Sequence, residues 1–412
     1  MEVIYSRCCG LDVHKDTVVA CVRRTAQEGR PDEQVRTFAT TTAGILELGD
    51  WLRESQVTIA AMESTGVYWK PVWNLLEGTL ELMLVNPHHI KNVPGRKTDV
   101  KDSQWIAQLL SCGLLKASFV PERPLRELRD LTRTRASVLA DKARVANRLQ
   151  KTLEDANIKL GSVASDVLGV SGRDMIRALI DGKSSPEAMA ELARRKLRIK
   201  IPQLIEALRG GVNEHHKFML KLQLDEVEHL EKLVDQLDRR IESVMGPLEQ
   251  AAATLVDQIP GIDVRAAQNI IAEIGADMSR FASSAHLSSW AGLCPGNNKS
   301  AGKRMSGRMT DGNRWLKSTL NQCAWAATRK KGSYFTAQHR RIASRRGVKR
   351  ATMAVAHSQL CICYELIKHG QCYEDLGPDY FEKRDKEGLK RRFVKELEKL
   401  GYGVKLEEKA AA

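Results

Sequence analysis

Residues 8–23 read CCGLDVHKDTVVACVR, an apolar and β-branched stretch that is interrupted near its centre by a short polar run. Apolar and β-branched residues favour strands, and Lys15-Asp16 can form a turn between two halves of strand length. The stretch therefore predicts a β-hairpin at the start of the fold. Asp12 lies in its first half, shortly after Gly10.

The next residues continue an alternation of strand and helix patterns. Strand-type sequence recurs at 34–40, 57–62 and 81–85, and helical spacing occupies 42–54 and 66–77. Such alternation is typical of an α/β layer, and a hairpin within it makes the expected sheet mixed. We predict an α/β domain over residues 1–125.

From about Pro121 the pattern changes to long helices with few breakers. Apolar residues are spaced three and four apart in one segment and seven apart in another, as in the seam of a coiled coil. The first set is Val227, Leu230, Val234, Leu237, Ile241 and Val244, and the second is Leu131, Val138 and Val145. We predict a helical coiled-coil spacer over 126–250, whose seams pair either within one chain or between two chains.

The positive charge of the chain is concentrated in one segment. Residues 291–350 hold fifteen Lys or Arg and one acid, Asp311, so this segment alone equals the net charge of +14 of the whole chain. A solvated helix face usually mixes both signs, and the block therefore favours a polyanion such as nucleic acid as partner. We predict a mainly helical basic domain over 251–368 and a charged C-terminal tail over 369–412.

The segment Ile259-Pro260-Gly261-Ile262, followed by a helical run to Ile274, has two interpretations. It resembles a helix-hairpin-helix, in which loop amides face a DNA phosphate, although Asp263 stands where that motif usually has glycine. It is equally typical of an ordinary connection between two core helices.

Several classes of protein are disfavoured. The nine cysteines form no CxxC pair, which argues against a zinc site and favours free thiols. The best apolar run, 351–367, is broken by His357, Ser358, Gln359 and Glu365 and is a poor membrane span. The first 21 residues carry several charges and no secretory pattern, so we expect a cytoplasmic protein without membrane contact.

Four carboxylates occupy positions that suggest a metal site. Asp12 and Glu63 follow apolar strands, and Asp99 and Asp102 lie three apart at the start of a predicted helix, hence on one helix face. Neighbouring strands lie about 4.8 Å apart, so acids on two strands can meet a helix packed over the sheet. Converging carboxylates repel each other unless cations lie between them, and Mg²⁺, or alternatively Mn²⁺, suits phosphodiester chemistry. Taken singly, each acid is also compatible with a solvated side chain or, for Asp99, a helix N-cap.

Five motifs resemble the insertion-sequence-110 family of transposases over roughly residues 8–365. They are Gly10–Lys15, Met62–Gly66, Lys97–Asp102, Trp290–Lys303 and Asp311–Leu316. The resemblance implies an N-terminal domain similar to the RuvC and ribonuclease H fold and a C-terminal transposase domain. It also implies that Asp12, Glu63, Asp99 and Asp102 are a catalytic, metal-binding tetrad.

The resemblance further implies that Ser300 is a catalytic nucleophile. Ser300 lies between glycines in the basic block, where neighbouring cations can stabilise a phosphorane. The expected nucleic-acid-binding residues are Lys299, Lys303, Arg304, Arg308, Arg314 and Lys317. Ser306, which also precedes a glycine, is the alternative nucleophile. No histidine neighbours Ser300, and the resemblance implies that the tetrad of another subunit assists it.

The function implied is that of a DNA recombinase that cleaves, exchanges and religates strands through a phosphoserine. The implied partners are donor and target DNA, a structured noncoding guide RNA and other copies of the chain, as a homodimer or homotetramer. One alternative is a RuvC-like junction resolvase or nuclease that uses water instead of serine. Another is a noncatalytic RNA-binding or scaffold protein that retains the fold.

Overall fold

The computed structural model describes residues 3–24, 31–64, 66–87, 90, 102–182, 184–296, 298–300, 302–384 and 386–406. They belong to two compact units, an N-terminal unit (Met1–Pro121) and a C-terminal unit (Glu122–Ala412). The N-terminal unit contains a mixed sheet and the C-terminal unit is mostly helical, as the sequence predicts. The finer division into four segments stays a prediction.

The N-terminal unit contains a five-stranded sheet in the order β3-β2-β1-β4-β5. Its strands are β1 (Arg7–Val13), β2 (Thr17–Arg24), β3 (Asp32–Ala39), β4 (Ile59–Glu63) and β5 (Glu81–Val85). The first three strands are antiparallel neighbours, whereas β4 is parallel to β1 and β5 is parallel to β4. The hairpin predicted from Lys15-Asp16 is confirmed, since the amide of His14 donates to the carbonyl of Thr17 at 2.9 Å.

Helices cover both faces of this sheet. They are α1 (Thr42–Glu54), α2 (Trp69–Leu76) and α3 (Asp102–Ser111). Cys9 and Leu11 of β1 are buried in one core with α1 and α2, whereas Cys8 is buried in a second core with α3. Successive residues of a strand point to opposite faces, so the near-continuous apolar sequence of β1 is explained by burial on both sides. The helix predicted at 66–77 is shorter, because it begins at Trp69.

Helix α3 lies directly against β1 at Gly10. A Cβ on Gly10 would lie 2.1 Å from the carbonyl oxygen of Ser103 and 2.4 Å from the amide nitrogen of Ala107. Only glycine allows this approach of backbone to backbone. The contact fixes the first turn of α3, and with it Asp102, beside the strand that carries Asp12.

The C-terminal unit begins with two long helices and the short helices between them. They are α4 (Arg123–Asp155), α5 (Leu160–Val163), α6 (Val170–Asp181), α7 (Pro186–Ala190), a 3₁₀ helix (Arg195–Lys200), α8 (Ile201–Ala207) and α9 (Glu214–Val244). The short helices form a core of their own with the ends of the long ones, around Leu149, Met175 and Leu220.

The two long helices, α4 and α9, run antiparallel within the chain. Contacts between their side chains join Arg135 to Asp238 at 2.7 Å, Lys142 to Glu231 at 2.8 Å, and Thr152 to Gln223 at 3.1 Å. Val227, Val234 and Ile241 of the predicted seam are buried. The seam thus has an internal partner, and pairing between chains stays a prediction.

The remaining residues surround a second core. Their elements are α10 (Pro247–Asp257), α11 (Val264–Ile274), a 3₁₀ turn (Met278–Arg280), α12 (Ser284–Trp290), β6 (Asn298–Ser300), β7 (Lys303–Ser306), α13 (Arg314–Ala327), α14 (Tyr334–Arg346), α15 (Val348–His369), α16 (Tyr380–Arg384) and α17 (Lys386–Lys399). The core is built from the apolar faces of α10 to α15 together with Leu128 of α4 and Ile241 of α9. The nine cysteines are free. Within the described ranges, no helix is long and apolar enough to cross a bilayer.

The loop between α10 and α11 packs inside this core. A Cβ on Gly261, whose φ is +87°, would lie 2.3 Å from the carbonyl oxygen of Cys323 on α13. The side-chain amide of Gln359 donates to the carbonyl of Pro260 at 3.0 Å. Asp263 caps α11 by accepting from the amide of Ala266 at 2.8 Å. These contacts favour the core connection over a loop that faces DNA.

The contact at Gly10 predicts that the Gly10→Ala substitution destabilises the N-terminal unit. The added methyl group meets backbone atoms that cannot move independently, so the loss should be at least ~2 kcal/mol. Thermal unfolding of the full chain measures it. Gly49→Ala on α1 is the matched control, because its Cβ meets only a side-chain atom of Leu76 at 3.0 Å and alanine favours the helix. Equal melting temperatures for the two variants would contradict the packing assigned to Gly10.

Candidate active site

Two of the predicted acids lie at the ends of neighbouring parallel strands. Leu11 of β1 is opposite Met62 of β4, and one residue further along the strands are Asp12 and Glu63. Asp12 lies on the same face of β1 as Gly10 because side chains alternate along a strand. This is the face on which α3 packs, and Asp102 is the first residue of α3.

The surroundings of Asp12 affect its ionisation. Burial raises the pKa of Asp12 above its ordinary value. The neighbouring His14 opposes this rise in pKa, whereas the negative charges of Asp102 and Glu63 add to it. Two of the other predicted acids, Glu63 and Asp102, therefore disfavour ionisation of Asp12. Repulsion of this kind is relieved when a cation binds between carboxylates.

The fourth acid, Asp99, lies outside the described residues. Within the described residues, no three His, Cys, Asp or Glu side chains form a ready-made metal site. Carboxylate oxygens are nevertheless the ligands that Mg²⁺ and Mn²⁺ prefer. The donor set therefore fits the expected ion, and the complete tetrad stays a prediction.

His14 is a member of this cluster that the sequence did not single out. Its Nε2 lies 3.2 Å from Oδ2 of Asp12, and its side chain is 60% exposed. The spacing of His14 from Asp12 could have indicated this contact, because residues two apart near the end of a strand lie on the same face. His14 therefore forms the solvent side of the acidic site.

The expected nucleophile lies on a β-hairpin. Strands β6 and β7 pair antiparallel, with Ser300 opposite Lys303 and Asn298 opposite Ser306. Ser300 is thus the last residue of β6 beside a tight turn, where Gly302 has φ of +77°. The sequence suggested a glycine-bounded loop, but it did not reveal the strand pairing. We call residues 295–309 the Ser300 hairpin, because its arms continue through a bridge between Pro295 and Met309.

Two glycines allow the arms of the Ser300 hairpin to touch where they leave the core. A Cβ on Gly312 would lie 2.3 Å from the amide nitrogen of Gly292, and a Cβ on Gly292 would lie 2.7 Å from that of Gly312. Gly292 also has φ of +71°, a conformation that favours glycine. The hairpin is therefore anchored at a crossing that larger residues would open.

The expected nucleic-acid-binding residues lie on the Ser300 hairpin and the start of α13. Lys299 and Arg304 are an opposed pair of the two strands, and Lys303 and Arg308 are exposed. On α13, Arg314 is exposed and Lys317 donates to the carbonyl of Thr310 at 3.0 Å.

The basic surface continues beyond the hairpin. Its further exposed residues are Arg329, Lys330, Lys331, Arg340, Arg341, Arg345, Arg346, Lys349 and Arg350. The first three lie between α13 and α14, the next four lie on α14, and the last two lie in the first turn of α15. A basic surface of this extent is typical of proteins that bind nucleic-acid backbones.

A mixed α/β unit with clustered acids and a strongly basic helical unit define a protein that processes nucleic acid. Residues 9–158 match a family model described as a transposase, of the DEDD type of IS110. Residues 253–340 match the model of the transposase IS116/IS110/IS902 family. The chain belongs to the IS110 family of transposases, which confirms the resemblance seen in the sequence.

A relative supports the same assignment. The "Insertion element IS110 uncharacterized 43.6 kDa protein" of Streptomyces coelicolor is 25% identical over 305 residues. The alignment covers 69% of this chain and 74% of the relative. Membership in a transposase family implies an enzyme that acts on DNA by cleaving and transferring strands.

The raised pKa of Asp12 predicts that Asp12→Asn stabilises the metal-free protein at neutral pH. The folded state holds the Asp12 proton more tightly than the unfolded state, so ionisation of Asp12 opposes folding above its folded pKa. The gain in melting temperature should therefore shrink as the pH falls through that pKa.

Thermal unfolding in EDTA across this pH range measures the effect. Asp50→Asn is the control, because Asp50 forms an exposed ion pair with Arg53 at 2.9 Å and such pairs contribute little. A lower melting temperature for Asp12→Asn than for wild type at neutral pH would refute the repulsion.

Proposed function

We propose that the chain is the recombinase of an insertion sequence, which cleaves, exchanges and religates DNA through a phosphoserine at Ser300. In this proposal Asp12, Glu63, Asp99 and Asp102 hold Mg²⁺ or Mn²⁺. The observation that carries it is the placement of Asp12 and Glu63 at the ends of neighbouring parallel strands, with Asp102 at the start of the helix that packs on Gly10. Its second support is the membership in a transposase family.

We also propose that the N-terminal unit has a RuvC and ribonuclease H-like fold. The support is the strand order β3-β2-β1-β4-β5, with three antiparallel strands followed by two parallel ones. Acids at the ends of β1 and β4, beside a helix that begins with another acid, agree with this assignment. Membership in the DEDD type of transposase agrees with it too.

The acidic residues would hold divalent ions through carboxylate oxygens. Bound ions supply charge that polarises the scissile phosphate and favours the deprotonated form of an attacking hydroxyl. Asp12 and Glu63 are fixed by the pairing of β1 with β4, whereas Asp102 is fixed by the contact of α3 with Gly10. The backbone thus presents these acids from rigid elements, which suits a site that must align a phosphate.

The hydroxyl of Ser300 loses its proton to solvent as its oxygen attacks the scissile phosphorus and forms the new O–P bond. The bond from phosphorus to one sugar oxygen breaks, and that oxygen leaves as a strand-end hydroxyl after taking up a proton. Attack by the hydroxyl of the exchanged strand then reverses these changes and frees Ser300. Lys303 and Arg308, both exposed on the Ser300 hairpin, provide positive charge for the phosphorane.

The proposed partners are donor DNA, target DNA and a structured noncoding guide RNA, bound by a homodimer or homotetramer. Support for a polyanion comes from the exposed cations of α14 and the first turn of α15. Binding to duplex DNA should weaken with salt, with a logarithmic slope of about −0.9 for each neutralised phosphate.

A second candidate is a metal-dependent junction resolvase or nuclease that uses water. The observation that favours it is the DEDD type of the N-terminal match, because the acids alone suffice for hydrolysis. The two candidates differ in one product. Only the serine mechanism leaves DNA covalently attached to protein.

Ser300→Ala should abolish a protein-linked DNA strand, whereas Ser306→Ala should leave it intact. The two serines lie in the same hairpin, on β6 and β7 respectively, so Ser306→Ala is a matched control. A denaturing gel of the reaction with cognate DNA and RNA separates linked from free strands. Cleavage that continues unchanged in Ser300→Ala would overturn the serine mechanism and support hydrolysis.

Excess EDTA should stop strand cleavage, and added Mg²⁺ or Mn²⁺ should restore it. Asp102→Asn should prevent this restoration, since Asp102 is one of the proposed ligands. Its control is Asp32→Asn, which changes an exposed acid of β3 that pairs with Arg24 at 3.4 Å. Cleavage at the full rate in excess EDTA would refute the role of a metal.

A further inference from the structure

Glu273 is a buried acid of the C-terminal unit that the proposed chemistry does not use. It lies on α11 and is 2% exposed. Arg133 of α4 donates to both of its carboxylate oxygens, from Nε at 2.7 Å and from Nη2 at 2.8 Å. Nε of Arg129, one turn earlier on α4, lies 3.6 Å from the same carboxylate. Paired geometry of this kind orients a carboxylate as well as neutralising it.

Asn313 makes a further contact with Glu273. Its Nδ2 donates to Oε2 of Glu273 at 2.6 Å. Its Oδ1 accepts from the amides of Trp315 at 3.0 Å and Leu316 at 3.1 Å, and so caps α13. One side chain therefore links a buried anion to the start of a helix. We call Glu273, Arg129, Arg133 and Asn313 the Glu273 cluster.

The Glu273 cluster lies at the base of the Ser300 hairpin. Asn313 directly follows Gly312, where the returning arm crosses the outgoing arm at Gly292. Beyond Asn313, the guanidinium of Arg133 lies 5.9 Å from the centre of the Trp315 ring. The returning arm is thus held to α4 and α11 at the residue after the crossing.

We propose that Glu273 and Asn313 are positioning residues, which orient the Ser300 hairpin relative to the long helix α4. The inference rests on the proposed function, in which Ser300 is the nucleophile. Neither residue touches the reacting atoms in this proposal. Their loss should therefore misplace the hairpin and slow formation of the DNA linkage, with little effect on nucleic-acid binding by the rest of the basic surface.

Asn313→Asp tests this role while keeping the helix cap. Aspartate is as good an N-cap as asparagine, but it replaces the Nδ2 donor by an oxygen that faces the carboxylate of Glu273. The expected result is a fall of about 100-fold in the single-turnover rate of linkage, because a misplacement of about 1 Å costs that much. Affinity for cognate nucleic acid should stay within about two-fold of wild type.

Two further variants separate positioning from general stability. Adding Glu273→Gln to Asn313→Asp exchanges donor and acceptor and restores the hydrogen bond between the two positions. Arg133 keeps its Nε bond to Oε1 but loses its Nη2 bond to the atom at Oε2, and one negative charge stays near Arg133. This double variant should recover at least about ten-fold of the lost rate. Asn213→Asp is the control, because Asn213 caps α9 in the same unit by accepting from the amide of His216 at 2.9 Å. It should react at the wild-type rate.

Circular dichroism and melting temperatures show whether each variant is folded at the assay temperature. If Asn313→Asp does not fold, the double variant is compared with Asn213→Asp instead. A folded double variant that reacts within about ten-fold of this control supports the pairing. A wild-type rate in folded Asn313→Asp, equal losses of rate and affinity, or a folded double variant without recovery would each overturn the positioning role. A wild-type protein that cleaves DNA without linkage contradicts the proposed function instead.

Discussion

The buried carboxylate of Glu273 is the constraint on which the C-terminal unit depends. An unpaired charge in a protein interior is strongly destabilising, so α11 must meet Arg133 and Arg129 of α4 when the chain folds. Burial lowers the pKa of Arg129 to about 10, against the opposing effect of Glu273. The same carboxylate receives Asn313, so one anion joins the long helix, the core and the base of the Ser300 hairpin.

The acids of the N-terminal unit have different neighbours from those of Glu273. Glu273 is surrounded by cations of the protein, whereas burial and the charges of Glu63 and Asp102 raise the pKa of Asp12. Glu273 is thus neutralised by arginines of its own chain, whereas Asp12, a proposed metal ligand, lies beside other acids. The pairing of β1 with β4 and the approach of α3 to Gly10 maintain this arrangement against the repulsion.

Local patterns in the sequence were sufficient to predict part of this structure. The helix Thr42–Glu54 and the strand Glu81–Val85 have the predicted bounds, since capping and alternation act over a few residues. The Glu273 cluster was missed because Arg133 and Asn313 are 140 and 40 residues from Glu273 in the chain. The pairing of Ser300 with Lys303 depends on tertiary context, so local patterns did not reveal it. The sequence left open whether the seams pair within one chain or between two chains, and the structure pairs α4 with α9 within the chain.

Mass spectrometry of the linked peptide tests most directly which residue carries DNA during the reaction. The reaction is stopped with denaturant, the DNA is trimmed with nuclease, and the protein is digested with trypsin. Cleavage after Lys299, Lys303, Arg304 and Arg308 separates the two hairpin serines into peptides 300–303 and 305–308. If Ser300 is the nucleophile, peptide 300–303 carries a nucleotide. A nucleotide on peptide 305–308, or cleaved DNA with no peptide attached, would contradict it.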